Sequence, residues 1–283
     1  MSSRRIPDTC AECLYRARAK QSGNEQYLAA VRERLENRTD DESAPYLAYE
    51  FDRLYEEMCG TRGSMAGIKH HYNELMLSLE QEIRTHIRQA QDPLSEALVY
   101  ARVGNYIDFG TLEHVDEKEF FSLFENASMS PEDQLTYAAF LKQCEQGGQF
   151  LLLLDNCGEI VLDKIFLEEL HDRFPHLKLS VIVRGGEAAN DATVEDALQT
   201  GIDRIADVYE NGMPLMGTLY SRLPKNARQA FDEADVILSK GQGNYETLSG
   251  QGYHVFYLFL CKCDYFVRKF GVPRLTGIFA EET

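Results

Sequence analysis

The chain has 283 residues, with 29 Lys and Arg against 46 Asp and Glu and a formal net charge of −17. A hydrophobic share of 44% with 15 Phe and 15 Tyr excludes a disordered or fibrous polypeptide, and the length suits one large domain or two modest ones. The acidity argues against nucleic acid and against an anionic membrane surface as partners, because neutralising phosphates takes clustered Lys and Arg.

Met1 to Asp8 lacks the apolar stretch of a secretory signal. No apolar run approaches the roughly 18 residues of a membrane span. The expectation is a cytoplasmic protein with no membrane partner. Seven cysteines, an odd number, do not suggest a disulfide framework.

Helical periodicity dominates the first half. Phe51, Leu54, Tyr55 and Met58 recur at i, i+3, i+4, i+7, and Tyr72, Leu75, Met76, Leu79, Ile83 and Ile87 continue the period. Gly60, Gly63 and Gly67 predict a loop between these stretches. Asp92 and Pro93 open a predicted helix to Asn105, and Ser130 with Pro131 opens another through Leu141. Residues 1–147 therefore predict an all-helical module.

The pattern changes at Gly147-Gly148. Phe150–Leu154, Leu179–Val183, Val236–Leu238 and Val255–Leu260 are short continuous apolar runs, as in strands buried on both faces. Arg204–Val208 is a weaker strand candidate. Helical segments at Leu162–Leu170, Thr193–Leu198 and Lys225–Glu233 alternate with them. Residues 148–283 thus predict an α/β domain, a parallel sheet with helices on its faces.

Such sheets bind ligands beyond the carboxyl ends of their strands. The four clear runs are followed there by Asp155-Asn156-Cys157-Gly158-Glu159, by Arg184-Gly185-Gly186 with Asn190-Asp191, by Ser239-Lys240-Gly241-Gln242-Gly243-Asn244, and by Cys261-Lys262. Asp155, Asn156 and Asp191 are hard oxygen donors suited to magnesium or manganese. Lys240 and Lys262 are positive charges placed to hold an anion. The Gly241-Gln242-Gly243 stretch and Gly158 at a helix start allow backbone N–H groups to approach a phosphate. Taken singly, each has an ordinary explanation: Asp155 or Asp191 as a helix cap, Asn190-Asp191 as a turn, Lys240 as a surface residue, Glu159 as a first-turn acid. Their convergence on one edge points to phosphate-ester chemistry. No GxxxxGK[ST] loop is present, which favours hydrolysis over transfer from ATP.

The same residues carry a family likeness. Asp155 to Lys164 resembles the DN-x-GE-hydrophobic-x-x-D signature of the metal-dependent damage-control phosphatases, also known as domain of unknown function 89. Arg184-Gly185 with Asn190-Asp191-Ala192-Thr193 and Glu195-Asp196 is similar to the family's RG-x-x-x-x-NDAT-x-ED stretch. Lys240 to Glu246 is similar to its KGQGN(F/Y)E segment, and Leu260 to Gly271 to its final L-x-KC segment. Gly104 to Gly110 resembles GN-x-IDFG, and Cys10-Ala11-Glu12-Cys13 resembles the CxxC of the prokaryotic branch. The likeness spans nearly the whole chain. It implies a three-layer α/β/α sandwich capped by a helical N-terminal region, and hydrolysis of sugar phosphates or damaged phosphometabolites with cobalt, nickel, manganese or magnesium. It further implies that Asp155, Asn156 and Asp191 bind metal, that Lys262 contacts the substrate phosphate, and that Gln242, Gly243, Asn244 and Glu246 contact substrate. The eukaryotic sugar-phosphatase branch has Asp-Leu-Asn-Tyr-Arg where this chain has Gln242 to Glu246, so that branch's substrates do not transfer. Nor does the methyltransferase activity proposed for it.

In the expected mechanism the cation neutralises charge developing on the phosphoryl group while Lys262 and Lys240 hold its other oxygens. Either Asp155 attacks to form a phospho-aspartate or a water attacks directly, and the sequence leaves both open. Glu159 is placed to act as a general base or to orient water. Asn105 and Asp108 either line the pocket or cap a helix. Lys69 and Asn73, one turn apart, face a cleft or solvent. Cys157, Cys261 and Cys263 read as packing residues. Cys10 and Cys13 are half of a structural zinc site that Cys59, His70 and His71 would complete, or else a packed or redox pair. Two rival functions remain: a non-catalytic sensor of a phosphometabolite, and a transferase using the same clamp. Substrate identity, metal preference and oligomeric state are not legible in the sequence.

Overall fold

The computed structural model describes residues 6–104, 124 and 127–283. Five helices open the chain: α1 (Asp8–Gln21), α2 (Glu25–Glu36), α3 (Ala44–Cys59), α4 (Ala66–Gln89) and α5 (Pro93–Val103). Helix α6 (Pro131–Gln146) follows. The starts of α2, α3, α5 and α6 are fixed by N-cap side chains that accept otherwise unpaired N–H groups. Asn24 accepts from the Tyr27 N–H at 3.1 Å and Asp92 from the Ser95 N–H at 3.2 Å. Ser130 and Asp133 form a capping box, each accepting from the other's backbone N–H. Gly67, expected in a loop, lies in the first turn of α4.

The second half alternates: β1 (Gln149–Leu153), α7 (Glu159–Arg173), β2 (Lys178–Val183), α8 (Val194–Thr200), β3 (Asp207–Glu210), α9 (Lys225–Glu233), β4 (Val236–Lys240), α10 (Gly241–Leu248), β5 (Val255–Leu260), α11 (Asp264–Phe270) and β6 (Gly277–Glu282). The six strands form one sheet in the order β3-β2-β1-β4-β5-β6. All pairings are parallel except β5 with β6. Strand β6, which has no clear apolar run, is an antiparallel edge whose outer end carries Glu281 and Glu282, charges that discourage further pairing.

Alternate residues divide the core. Phe150, Leu152, Val181, Leu238 and Phe256 face a cluster containing α7 and α8 with α4, α5 and α6, whereas Leu151, Leu153, Ile237, Tyr257 and Phe259 face α9, α10 and α11. The result is the α/β/α sandwich. Helices α1 to α3 gather around a smaller cluster of Ile6, Tyr27, Val31, Leu47 and Phe51, and α3 packs on α10. Helices α4 to α6 of the helical half thus share the sheet's core, and α1 to α3 overlie its carboxyl edge. Among the described residues no helix is long and apolar enough to cross a membrane.

A candidate active site at the carboxyl edge of the sheet

Successive strands leave β1 in one direction through β2 and β3, then return to add β4 on its other side. The ends of β1 and β4 therefore flank the crevice where strand order reverses, the place an open α/β sheet offers a ligand. A cavity of about 280 Å³ lies there. Asp155, Asn156, Asn190, Asp191, Gln242, Gly243, Glu246 and Lys262 give its polar wall; Leu14, Ala44, Pro45, Ala48 and Met216 give its apolar wall.

Asp155 leaves β1 with its carbonyl accepting from the Ala192 N–H at 2.7 Å. Asn156 and Asp191 form an isolated β-bridge, which brings the two loops together. The Asn156 amide is fixed on both sides. Its Nδ2 donates to Asp155 Oδ2 at 2.8 Å and to Glu159 Oε2 at 2.9 Å, and its Oδ1 accepts from Asn190 Nδ2 at 2.9 Å. Gly241 has φ +78°, and a methyl there would overlap the Asp155 carboxylate, so backbone and space each demand glycine.

Arg184, at the end of β2, was legible as a strand-end residue but its role was not. Fully buried, it donates from Nε to Asp191 Oδ2 at 2.6 Å and from a terminal nitrogen to Asp155 Oδ1 at 3.4 Å. Its other terminal nitrogen reaches the Gly217 carbonyl and Asn244 Oδ1. One planar guanidinium thereby ties together three loops. Asn190 was noted as a turn residue only. Met216 and the apolar residues of α1 and α3 carried no sequence signal, being ordinary members of a loop and of amphipathic helices.

Other expected residues lie elsewhere. Lys240 does not reach the cavity. It is wholly buried, its Nζ donating to Glu159 Oε1 at 2.6 Å and Asp163 Oδ1 at 2.5 Å. Burial there would depress a lone ammonium, but the two carboxylates overcome that and raise its pKa. Glu159 is likewise fully buried, behind Asn156. The Gly158 N–H is taken by Asn73 Oδ1 at 2.6 Å, so it does not face an anion. Asn244 is buried, its Nδ2 donating to the Leu154 and Lys240 carbonyls. The Gly241-Gln242-Gly243 stretch is the first turn of α10 rather than a loop. Asn105 and Asp108 lie outside the described residues.

The electrostatics suit a cation. Burial, then the neighbouring Glu159, pushes the Asp155 carboxyl up. Burial raises Asp191 to about 7 against the pull of Arg184. A divalent cation would reverse both shifts. Two carboxylates and one amide oxygen are hard donors, leaving further positions for water, so the set fits such an ion. Among the described residues no three His, Cys, Asp or Glu come together as a metal site. The zinc set imagined around Cys10 and Cys13 is therefore not assembled: Cys13 is exposed on α1, and Cys59 sits instead beside Ser22.

Comparison with known proteins agrees with this architecture. A family model described as "Damage-control phosphatase ARMT1-like domain" matches residues 1–276. A damage-control phosphatase of Archaeoglobus fulgidus is 31% identical over 95% of this chain and 96% of its own length. The damage-control phosphatase PH1575 of Pyrococcus horikoshii is 29% identical over 63% of this chain and 61% of its own. The crystal structure of PH1575, titled a DUF89 family protein, superposes with a TM-score of 0.78 over 98% of this chain and 99% of that one, at 21% identity.

Proposed function

Because the chain belongs to the damage-control phosphatase ARMT1-like domain family, we propose that it is a phosphatase of small phosphorylated metabolites, acting with a divalent cation held by Asp155, Asn156 and Asp191. The observation that carries this reading is the convergence of those three oxygen donors and Lys262 on one cavity. Manganese, magnesium, nickel and cobalt are the candidate ions. When bound, the ion supplies charge neutralisation for the phosphoryl oxygens. Arg184 holds the two carboxylates in place. Glu159 accepts from Asn156 Nδ2 and so fixes the amide with Oδ1 on the side of Asn190. Lys262 binds the phosphate's remaining oxygens. Gln242, Gly243 and Glu246, on one face of α10, contact the organic part of the substrate against the apolar wall from α1 and α3. Free thiols throughout are in keeping with a reducing cytoplasm.

Phosphate release is measured on sugar phosphates, nucleotides and p-nitrophenyl phosphate after chelation and re-addition of each ion. Turnover restored by a divalent ion and lost in Asp155→Asn is the expected outcome. A folded protein that binds ligand stoichiometrically without turnover would instead be a sensor. An acid-stable phosphoprotein trapped on Asp155 would establish attack by that carboxylate; its absence during turnover favours water.

A further inference from the structure

Helix α4 reaches the site from the helical half of the chain. Its buried residues Lys69, Tyr72, Asn73 and Met76 lie over the starts of α7 and α8. Gly158 has φ +70° and ψ −56°, and the Glu159 N–H donates back to the Cys157 carbonyl at 2.8 Å. This is a γ-turn of the positive-φ kind, which side-chain-bearing residues rarely adopt. It follows directly on Asp155 and Asn156. Met76 and Tyr72 pack within 3.7 Å of where a Gly158 methyl would sit.

Asn73 is fully buried and joins this turn to the other ligand loop. Its Oδ1 accepts from the Gly158 N–H at 2.6 Å. Its Nδ2 donates to Asp196 Oδ1 and to Gln199 Oε1, each at 2.8 Å. Asp196 Oδ2 accepts from both the N–H and the hydroxyl of Thr193 at 2.8 Å and pairs with Lys69 Nζ at 2.6 Å. Thr193 stands two residues after Asp191 and bridges to Arg184. The amide of Asn73 is thus read on both its acceptor and its donor side, by the two segments that carry Asp155, Asn156 and Asp191.

We propose that Asn73 is a positioning residue of the site: it holds the Gly158 turn in register with the Asp191 loop, and Lys69 with Asp196 fixes its own orientation. The effect on turnover rests on the function proposed above; the effect on the turn rests on these hydrogen bonds alone. The reasoning yields a swap. In Asn73→Asp with Asp196→Asn, donor and acceptor exchange places between these two residues, the Gly158 N–H keeps an acceptor, Thr193 keeps an acceptor, and the buried charge is unchanged. The Gln199 amide, which accepts from Asn73 in the native chain, turns over to donate to the new carboxylate at position 73 and gives up its exposed bond to the His70 carbonyl. Lys69 lies four residues from position 73 on the same helix face, so it keeps a carboxylate within reach.

The experiment measures amide exchange of residues 155–160 in the full chain, together with kcat and KM for p-nitrophenyl phosphate with manganese. Asn73→Ala is expected to speed exchange of 155–160 at least about tenfold, with exchange in α9 to α11 unchanged. It should lower kcat about 10- to 100-fold, as loss of a ligand-supporting hydrogen bond does, with KM within about threefold. Each single charge variant should resemble it, and the double variant should return both quantities to within about threefold of wild type. Wild-type exchange in Asn73→Ala, or a folded double variant no better than its singles, overturns the proposal. A wild-type protein that releases no phosphate removes the phosphatase reading instead, and the exchange measurement still decides the role of Asn73.

Discussion

Gly241 is the residue against which the Asp155 carboxylate rests. Its positive φ and the absence of a side chain allow β4 to end within contact of β1's ligand loop. Gly241→Ala should lower kcat at least about tenfold, since the methyl must displace the carboxylate, and should cost about 1 kcal/mol of stability for the strained φ. Steady-state kinetics and thermal melts check both. Glu246 presents a second single-residue case. It lines the cavity without a hydrogen bond or ion pair among the described residues, and burial raises its pKa to about 7 from 4.5. A carboxyl raised on folding stabilises fully below its unfolded pKa and loses that contribution as pH rises through the folded value. Glu246→Gln should therefore match wild type in Tm near pH 4.5 and exceed it by roughly 5 °C at pH 8, the gap opening between these values. A gap that is constant with pH would show that Glu246 does not titrate in this window.

At the scale of elements, the strands most legible in the sequence were β1, β2, β4 and β5, because burial on both faces demands continuous apolar runs. Strand β6 at the edge and short β3 lacked that demand. The start of α10 was misread because two glycines suggest a loop. Asn244, donating to the carbonyls of Lys240 and Leu154, and the buried Tyr245 and Leu248 hold it helical. Lys240 is expected at the phosphate because it ends a strand at the edge where the other polar groups converge. The face of α7 that meets β4 carries Glu159 and Asp163, and their charge draws the ammonium inward. This separates the two lysines experimentally. Lys240→Met leaves two buried carboxylates without their cation and should cost about 3–5 kcal/mol at pH 8. The loss should shrink toward pH 5, since burial raises Asp163 to about 7 and a protonated carboxyl needs no counter-ion. Lys262→Met should raise KM at least about tenfold for a phosphomonoester with the melting temperature nearly unchanged. Denaturant titrations and initial rates distinguish the two; reversed behaviour would return Lys240 to the phosphate.

For the whole molecule, a net charge of −17 sets a repulsive field around a site proposed to take an anion. Raising salt from 10 to 150 mM shortens the Debye length from about 30 to about 8 Å. The KM for a phosphomonoester should then fall about twofold, and divalent-ion affinity should weaken by a similar factor, two opposite signs from one field. Rates and ion titrations across that range test it. The sequence by itself determined the alternation of strand and helix and the polar residues that end each strand. Periodicity and strand ends are local properties, readable wherever they fall in the chain. It also determined, through ordered motifs, the family. Only the tertiary structure decided which of those polar groups meet a cavity and which pair with one another behind it. Arg184, Lys240 and Asn73 acquire their partners across separations of 7 to 126 residues. Contacts of that kind depend on which helix lies over which strand end, and no local pattern records it.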